Sequence, residues 1–129
     1  VLGQPCPMWV PLIESNEHHT PGADYFVHKY LDSLFAKSQN IDTLILGCTH
    51  YPLLLNQIQS AVPAGVSVLT QGDIVAASLE DYLSRHPEIA SLCSQGATIR
   101  FLTTESVQKF ASSASIFLNQ PIVAEHITL

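Results

Sequence analysis

The chain has 129 residues and a formal net charge of −6, with 47% hydrophobic and only 12% charged residues. This composition argues against intrinsic disorder, and the lack of basic runs argues against nucleic acid as a partner. No apolar stretch reaches the roughly 18 residues of a membrane span. Three cysteines without paired spacing indicate a reducing, cytoplasmic compartment and not a disulfide framework.

The N-terminal third predicts one extended segment, one loop and one helix. Residues 6–13 are apolar, but Pro7 and Pro11 favour an extended conformation there and disfavour a helix. Residues 14–22 are polar and rich in turn formers, so they predict a loop. Apolar side chains spaced by three and four predict an amphipathic helix over 23–37.

The rest of the chain alternates between strands and helices. Residues 42–47 form a short apolar run ending in glycine, which is typical of a strand buried on both faces of a parallel sheet. The later predicted elements are a helix over 53–61 after Pro52, a strand at 66–70, a helix over 74–85, a loop at 86–96, a strand at 98–103, a helix over 105–118 and a strand at 121–128. This alternation predicts an α/β fold, with a parallel sheet covered by helices on both faces.

The segment that can carry chemistry directly follows the strand at 42–47. In open α/β sheets, ligands bind beyond the carboxyl ends of the strands, and Cys48 lies at such an end. A helix N-terminus and nearby cations favour the reactive thiolate form of a cysteine. His50 could accept a proton from that thiol or stabilise its thiolate, and Thr49 offers a hydroxyl and an N–H to an anion.

A packing role for these residues stays open on this reasoning alone. A single cysteine at a strand end is more often a small buried apolar residue, and a single histidine usually has a local hydrogen bond. Metal binding is not indicated, because the cysteines and histidines show no C-x-x-C or helical ligand spacing. No glycine-rich phosphate loop is present, and therefore no cofactor is indicated.

The residues on either side of Cys48 and His50 help to decide between a packing role and a catalytic role. Residues 44–54, with Gly47-Cys48-Thr49-His50-Tyr51-Pro52 at their centre, resemble the second cysteine motif of glutamate racemases in the aspartate/glutamate racemase superfamily. Upstream, residues 6–14 resemble the family segment that ends in a functional glutamate, here Glu14. The closing strand, helix and strand resemble the end of the family's chain more loosely.

The resemblance implies an activity and a set of site residues. Glutamate racemases interconvert L- and D-glutamate without a cofactor, and so supply D-glutamate for peptidoglycan synthesis. Two cysteines on opposite faces of the substrate exchange its α-proton. Carried over to this chain, Cys48, His50 and Glu14 are the catalytic residues, and Thr49 binds substrate together with Cys48 and His50. Cys6 and Cys93, which have no histidine at motif spacing, are predicted to be structural.

The resemblance also implies a domain arrangement in which this chain is one part of a longer enzyme. Residues 1–70 would belong to the second of two α/β domains, and residues 71–129 would pack on an N-terminal domain. That domain, with the other cysteine, would lie upstream of Val1. The expected partners are glutamate and the N-terminal domain, and a homodimer stays open.

Two other functions remain as alternatives. A cysteine beside a histidine also suits an acyl-transfer hydrolase, which needs a nucleophile, a base and an orienting group. Half of an active site can also serve as a binding module without catalysis. Exchange of the α-proton separates the racemase from the hydrolase, and an upstream cysteine motif separates it from the binding module.

Overall fold

The structure, a computed structural model, describes residues 1–129 and consists of two compact units, Val1–Ser78 and Leu79–Leu129. The elements in chain order are α1 (Trp9–Glu14), α2 (Pro21–Phe35), β1 (Thr43–Ile45), a 3₁₀ helix (Tyr51–Leu54), α3 (Leu55–Ala61), β2 (Ser67–Leu69), α4 (Gln71–Arg85), α5 (Pro87–Ala90), β3 (Phe101–Thr103), α6 (Val107–Phe117) and β4 (Ala124–His126). None of these helices combines the length and the hydropathy that a bilayer crossing requires.

Each unit contains one pair of parallel strands. In the first unit β1 pairs with β2, with Leu44 opposite Val68, and in the second β3 pairs with β4, with Leu102 opposite Glu125. Each pair is joined by a crossover that contains helix, the connection that parallel strands require. The predicted α/β class and the parallel strand pairing are therefore confirmed.

The core of the first unit lies between helices. Ala23, Val27, Leu31 and Leu34 form the buried face of α2, and Ile58 is the buried residue of α3. Thr20 caps α2, because its side-chain oxygen accepts a hydrogen bond from the Ala23 N–H at 3.4 Å. The predicted helix over 23–37 is thus present but begins two residues earlier, with Pro21 in its first turn.

The prediction that residues 6–13 are extended is wrong, because Trp9–Glu14 forms α1. Pro11 is the third residue of this helix, where the backbone N–H has no acceptor within the helix anyway. Proline therefore costs the first turn no hydrogen bond. Burial of Trp9 and Ile13, which lie one turn apart on the same face, supplies the reason for the helix to form.

Three other predictions need correction. The strand at 42–47 is not buried on both faces, since Thr43 and Ile45 of β1 are exposed and the sheet has only two strands. The helix predicted over 53–61 begins instead as a 3₁₀ turn at Tyr51. The predicted loop at 86–96 contains α5, which starts with Pro87 in its first turn.

Candidate active site

The cysteine turn, residues 46–51, leaves the carboxyl end of β1 and leads into the 3₁₀ helix. The Leu46 N–H donates to the Leu69 carbonyl at 3.0 Å, which ties the start of the turn to β2. The turn closes where the Tyr51 N–H donates to the Cys48 carbonyl at 3.2 Å. Cys48 is therefore held at the end of a paired strand, and its side chain remains partly exposed.

Helix α1 brings a carboxylate to this turn. Trp9 is 2% exposed and Ile13 is fully buried, so one face of α1 is anchored in the core. The Trp9 indole N–H donates to the Phe26 carbonyl of α2 at 3.2 Å. Glu14, the last residue of α1, is thereby placed next to His50.

The imidazole of His50 lies between the thiol of Cys48 and the carboxylate of Glu14. Glu14 Oε1 lies 2.6 Å from His50 Nε2, and Cys48 Sγ lies 3.9 Å from His50 Nδ1. The first distance is that of a short, charge-assisted hydrogen bond. The side chains of His50 and Glu14 are 33% and 54% exposed, so solvent and ligands can reach both.

This arrangement can move a proton. A carboxylate that accepts the Nε2–H leaves Nδ1 facing the thiol, where it can accept the S–H proton. In the reverse direction, an imidazolium can donate its Nδ1–H to the thiolate. The histidine thus links the protonation of Cys48 to the charge of Glu14.

The other predicted residues take different places. Thr49 is exposed between Cys48 and His50. Cys93 is exposed, and its Sγ donates to the Ile89 carbonyl at 3.7 Å. Cys6 is buried, and this burial raises the pKa of its thiol to about 11, although a hydrogen bond with Tyr51 and the charge of Lys37 act in the opposite direction. Neither Cys6 nor Cys93 has a histidine partner.

Sequence reasoning assigned no role to Tyr51, which the structure places at the end of the turn, where the 3₁₀ helix begins. Its ring meets the Trp9 ring edge to face. Burial, followed by the nearby Cys6 and Cys48 side chains, raises the pKa of Tyr51. An aromatic residue inside the cysteine motif was the only signal that could have indicated this role.

A cleft of about 820 Å³ borders the turn at Gly47 and Tyr51 but is lined by none of Cys48, His50 and Glu14. Nothing lies within 4 Å of the position that a Cβ at Gly47 would occupy. No three His, Cys, Asp or Glu side chains of the chain converge as metal ligands would.

Comparison with known proteins gives a consistent result, although no family model matches the chain. The glutamate racemase of Paracoccus denitrificans is 38% identical over 122 residues, which cover 95% of this chain and 43% of that enzyme. A glutamate racemase isoform from Bacillus anthracis has a similar structure, with a TM-score of 0.81 and 27% identity over 98% of this chain and 46% of its own. The Francisella tularensis glutamate racemase, solved in complex with D-glutamate, gives a TM-score of 0.77 and 26% identity over 97% of this chain and 46% of its own.

The chain spans less than half the length of the relatives that it matches. The likeness is nonetheless continuous along the chain, because it covers at least 95% of these residues in each of the three comparisons. Sequence and fold together show that this chain matches one part, slightly under half, of a glutamate racemase.

Proposed function

We propose that this chain supplies one of the two catalytic halves of a cytoplasmic glutamate racemase. The observation that carries the proposal is the position of the His50 imidazole between a thiol and a carboxylate. Its Nδ1 lies 3.9 Å from Cys48 Sγ, and its Nε2 lies 2.6 Å from Glu14 Oε1. The enzyme would interconvert L- and D-glutamate without a cofactor and supply D-glutamate for peptidoglycan synthesis.

In this proposal the Cys48 thiolate removes the α-proton from one face of bound glutamate. The electron pair left at the α-carbon then takes a proton from the opposing thiol, on a part of the polypeptide outside this chain. In the other direction Cys48 is the donor, and its thiol is restored by a proton passed through His50. The α-proton of an amino acid is weakly acidic, so a base with direct reach and a matched protonation state is required.

Glu14 and Thr49 complete the proposed half-site. The Glu14 carboxylate fixes the tautomer and orientation of His50, because it accepts the hydrogen bond from Nε2 at 2.6 Å. Thr49 is exposed next to the thiol and offers its hydroxyl and backbone N–H to the substrate carboxylate. Glu14 and Thr49 both lie on short, hydrogen-bonded segments, which suits a site that must hold its geometry.

The proposed domain arrangement places residues 1–70 in the second α/β domain and residues 71–129 against the N-terminal domain. The exposed apolar residues of α4 support it. Ile74 and Val75 are 55% and 60% exposed, and no residue of this 15-residue helix is buried. Exposed apolar side chains of this kind mark surfaces that another part of a protein covers.

The test follows deuterium uptake at the α-carbon of D- and L-glutamate separately, in the full-length polypeptide that carries this chain. A serine hydroxyl is a far weaker acid than a thiol, so Cys48→Ser should lower racemisation by at least about 100-fold. Exchange from one enantiomer should fall more than exchange from the other, because the opposing cysteine still faces one of them. Cys93→Ser is the matched control and should keep most of the activity. Wild-type exchange from both enantiomers in Cys48→Ser would refute the proposal.

The same geometry favours one second candidate, a cysteine acyl-transfer hydrolase. A thiol, an imidazole and a carboxylate in this order also form a nucleophile, a base and an orienting group. A hydrolase would form an acyl-thioester on Cys48 with ester or amide substrates and would leave the glutamate α-proton in place. Deuterium uptake at the α-carbon without thioester formation therefore selects the racemase.

A further inference from the structure

The last hydrogen bonds between β1 and the β2 segment are made by Leu46, two residues before Cys48. The Leu46 N–H donates to the Leu69 carbonyl at 3.0 Å. In a regular parallel ladder both peptide groups of such a residue bond to the neighbouring strand, at positions two residues apart. The Leu46 carbonyl would therefore accept from the backbone N–H of Gln71. However, β2 ends at Leu69 and α4 already begins at Gln71.

The side chain of Gln71 takes the place of that backbone donor. Its Nε2 donates to the Leu46 carbonyl at 3.4 Å, while its backbone belongs to the first turn of α4. Leu46 is only 2% exposed, so water has little access to this carbonyl. A buried carbonyl without a donor is unfavourable, and the Gln71 amide supplies the donor. We call the two hydrogen bonds that Leu46 makes, with Leu69 and with Gln71, the Leu46 clamp.

The Leu46 clamp fixes the point at which the cysteine turn begins. Only Gly47 separates Leu46 from Cys48, and glycine restricts the backbone less than any other residue. Nothing lies within 4 Å of the position that a Cβ at Gly47 would occupy, so packing adds no restriction there. The direction in which Cys48 leaves the sheet therefore depends on how firmly Leu46 is held.

We propose that Gln71 is a positioning residue, which acts through the Leu46 carbonyl to hold the Cys48 thiol where proton transfer requires it. This proposal rests on the proposed function for the reaction that it serves. Small displacements of a reacting group lower the rate of the chemical step strongly. The hydrogen bond is long, at 3.4 Å, and Gln71 is exposed, so the expected loss of kcat without it is about 3- to 10-fold.

Two substitutions of similar size test the amide of Gln71 in the full-length polypeptide. Gln71→Met keeps the length of the side chain and removes the donor, and Gln71→Glu turns a carboxylate toward the carbonyl oxygen. An acidic residue in the first turn favours a helix, so Gln71→Glu should not weaken α4 itself. Both variants should lower kcat with little change in KM. Gln59→Glu, at an exposed position of α3, is the matched control and should retain kcat.

The two enantiomers of glutamate distinguish positioning from a general loss of structure. A displaced Cys48 thiol slows α-proton exchange chiefly from the enantiomer that it deprotonates, which is the one that Cys48→Ser affects more. Gln71→Met should show the same preference in weaker form. An equal loss from both enantiomers would assign Gln71 a structural role and overturn the proposal. A loss in Gln71→Glu alone would also overturn it, because charge and not the hydrogen bond would then be responsible.

Amide hydrogen exchange gives a result that does not depend on catalysis. The Leu46 amide should exchange at least about five-fold faster in Gln71→Met than in the original full-length polypeptide. The Ser67 amide, bonded to the Asp42 carbonyl at 2.8 Å, is the reference for an intact sheet and should not change.

The two proposals fail separately. A full-length polypeptide in which Gln71→Met loosens Leu46, but which does not exchange the glutamate α-proton, retains the Leu46 clamp and refutes the racemase. A racemase in which Gln71→Met changes neither the exchange of the Leu46 amide nor the turnover retains the function and refutes the role of Gln71.

Discussion

The indole ring of Trp9 meets the ring of Tyr51 edge to face, with centroids 4.7 Å apart and planes at 78°. Trp9 lies in the first turn of α1 and Tyr51 begins the 3₁₀ helix after the cysteine turn. Their contact joins the two segments that carry Glu14 and His50. The 2.6 Å hydrogen bond between those two side chains therefore depends on the neighbouring aromatic pair, in which Trp9 is buried and Tyr51 is half-buried.

The first prediction concerns this aromatic pair. Trp9→Ala should lower the free energy of unfolding by about 3–5 kcal/mol, because it removes a large buried side chain from the core. Trp9→Phe retains a ring against Tyr51 but loses the hydrogen bond to Phe26, so it should cost less. Urea unfolding followed by circular dichroism measures both variants. A loss below about 1 kcal/mol in Trp9→Ala would show that the pair does not hold α1 in place.

The second prediction concerns Glu14. Replacing its carboxylate by an amide in Glu14→Gln removes the charge that orients His50, so turnover in the full-length polypeptide should fall roughly 10- to 100-fold with little change in KM. Glu17→Gln, in the loop after α1, is the matched control and should retain full turnover. Steady-state kinetics with D- and L-glutamate measures the effect. Unchanged turnover in Glu14→Gln would exclude the carboxylate from the site.

The third prediction is a pH dependence of stability that comes from Cys6. The pKa of this thiol is raised from 9.0 to about 11 in the folded chain, so the folded state holds the thiol proton more tightly than the unfolded state. This stabilisation is complete below pH 9 and is lost as the pH rises toward 11. Between pH 8 and pH 10 it should amount to a loss of about 1 kcal/mol.

Comparison with Cys6→Ala isolates this contribution, because other groups titrate in the same range. The difference in unfolding free energy between the original chain and the variant should decrease from pH 8 to pH 10. Urea unfolding of both proteins at the two pH values measures it. A constant difference would mean that the folded and unfolded states hold the Cys6 proton equally.

The fourth prediction is an order of thiol reactivity. At pH 8 a thiol with a pKa of about 11 has about one thiolate in a thousand molecules, and Cys6 is also buried. Iodoacetamide should therefore modify the exposed Cys93 much faster than Cys6. Peptide mass spectrometry over a time course gives both rates in one sample. Equal rates would contradict the packing around Cys6.

The fifth prediction concerns this chain on its own. It carries a single cysteine that has a histidine partner, and racemisation needs an acid and a base on opposite faces of the substrate. The isolated 129-residue chain should therefore not interconvert the enantiomers of glutamate. Polarimetry or a coupled assay for D-glutamate measures it. Appreciable turnover by this chain alone would refute the two-domain interpretation.

Much of the fold could be predicted from local patterns. Helix α2 could be predicted because its apolar residues recur with the period of a helix. Strands β1 and β2 could be predicted because each is a short apolar run. The error at residues 6–13 arose because proline disfavours a helix interior, whereas Pro11 lies in a first turn. Which turn a proline occupies depends on where the helix starts, and here burial of Trp9 and Ile13 decides the start.

The contacts of the candidate site are likewise of two kinds, one set by local sequence and one by tertiary packing. Cys48 and His50 are two residues apart in one turn, so the sequence by itself determined that thiol and imidazole lie close together. Glu14 is 36 residues from His50, and no local rule places a carboxylate across that distance. Only the tertiary structure decided that contact, because it needs α1 to bury Trp9 against Tyr51. The exposure of Ile45 was also decided there, since a strand is buried only by the elements that pack beside it.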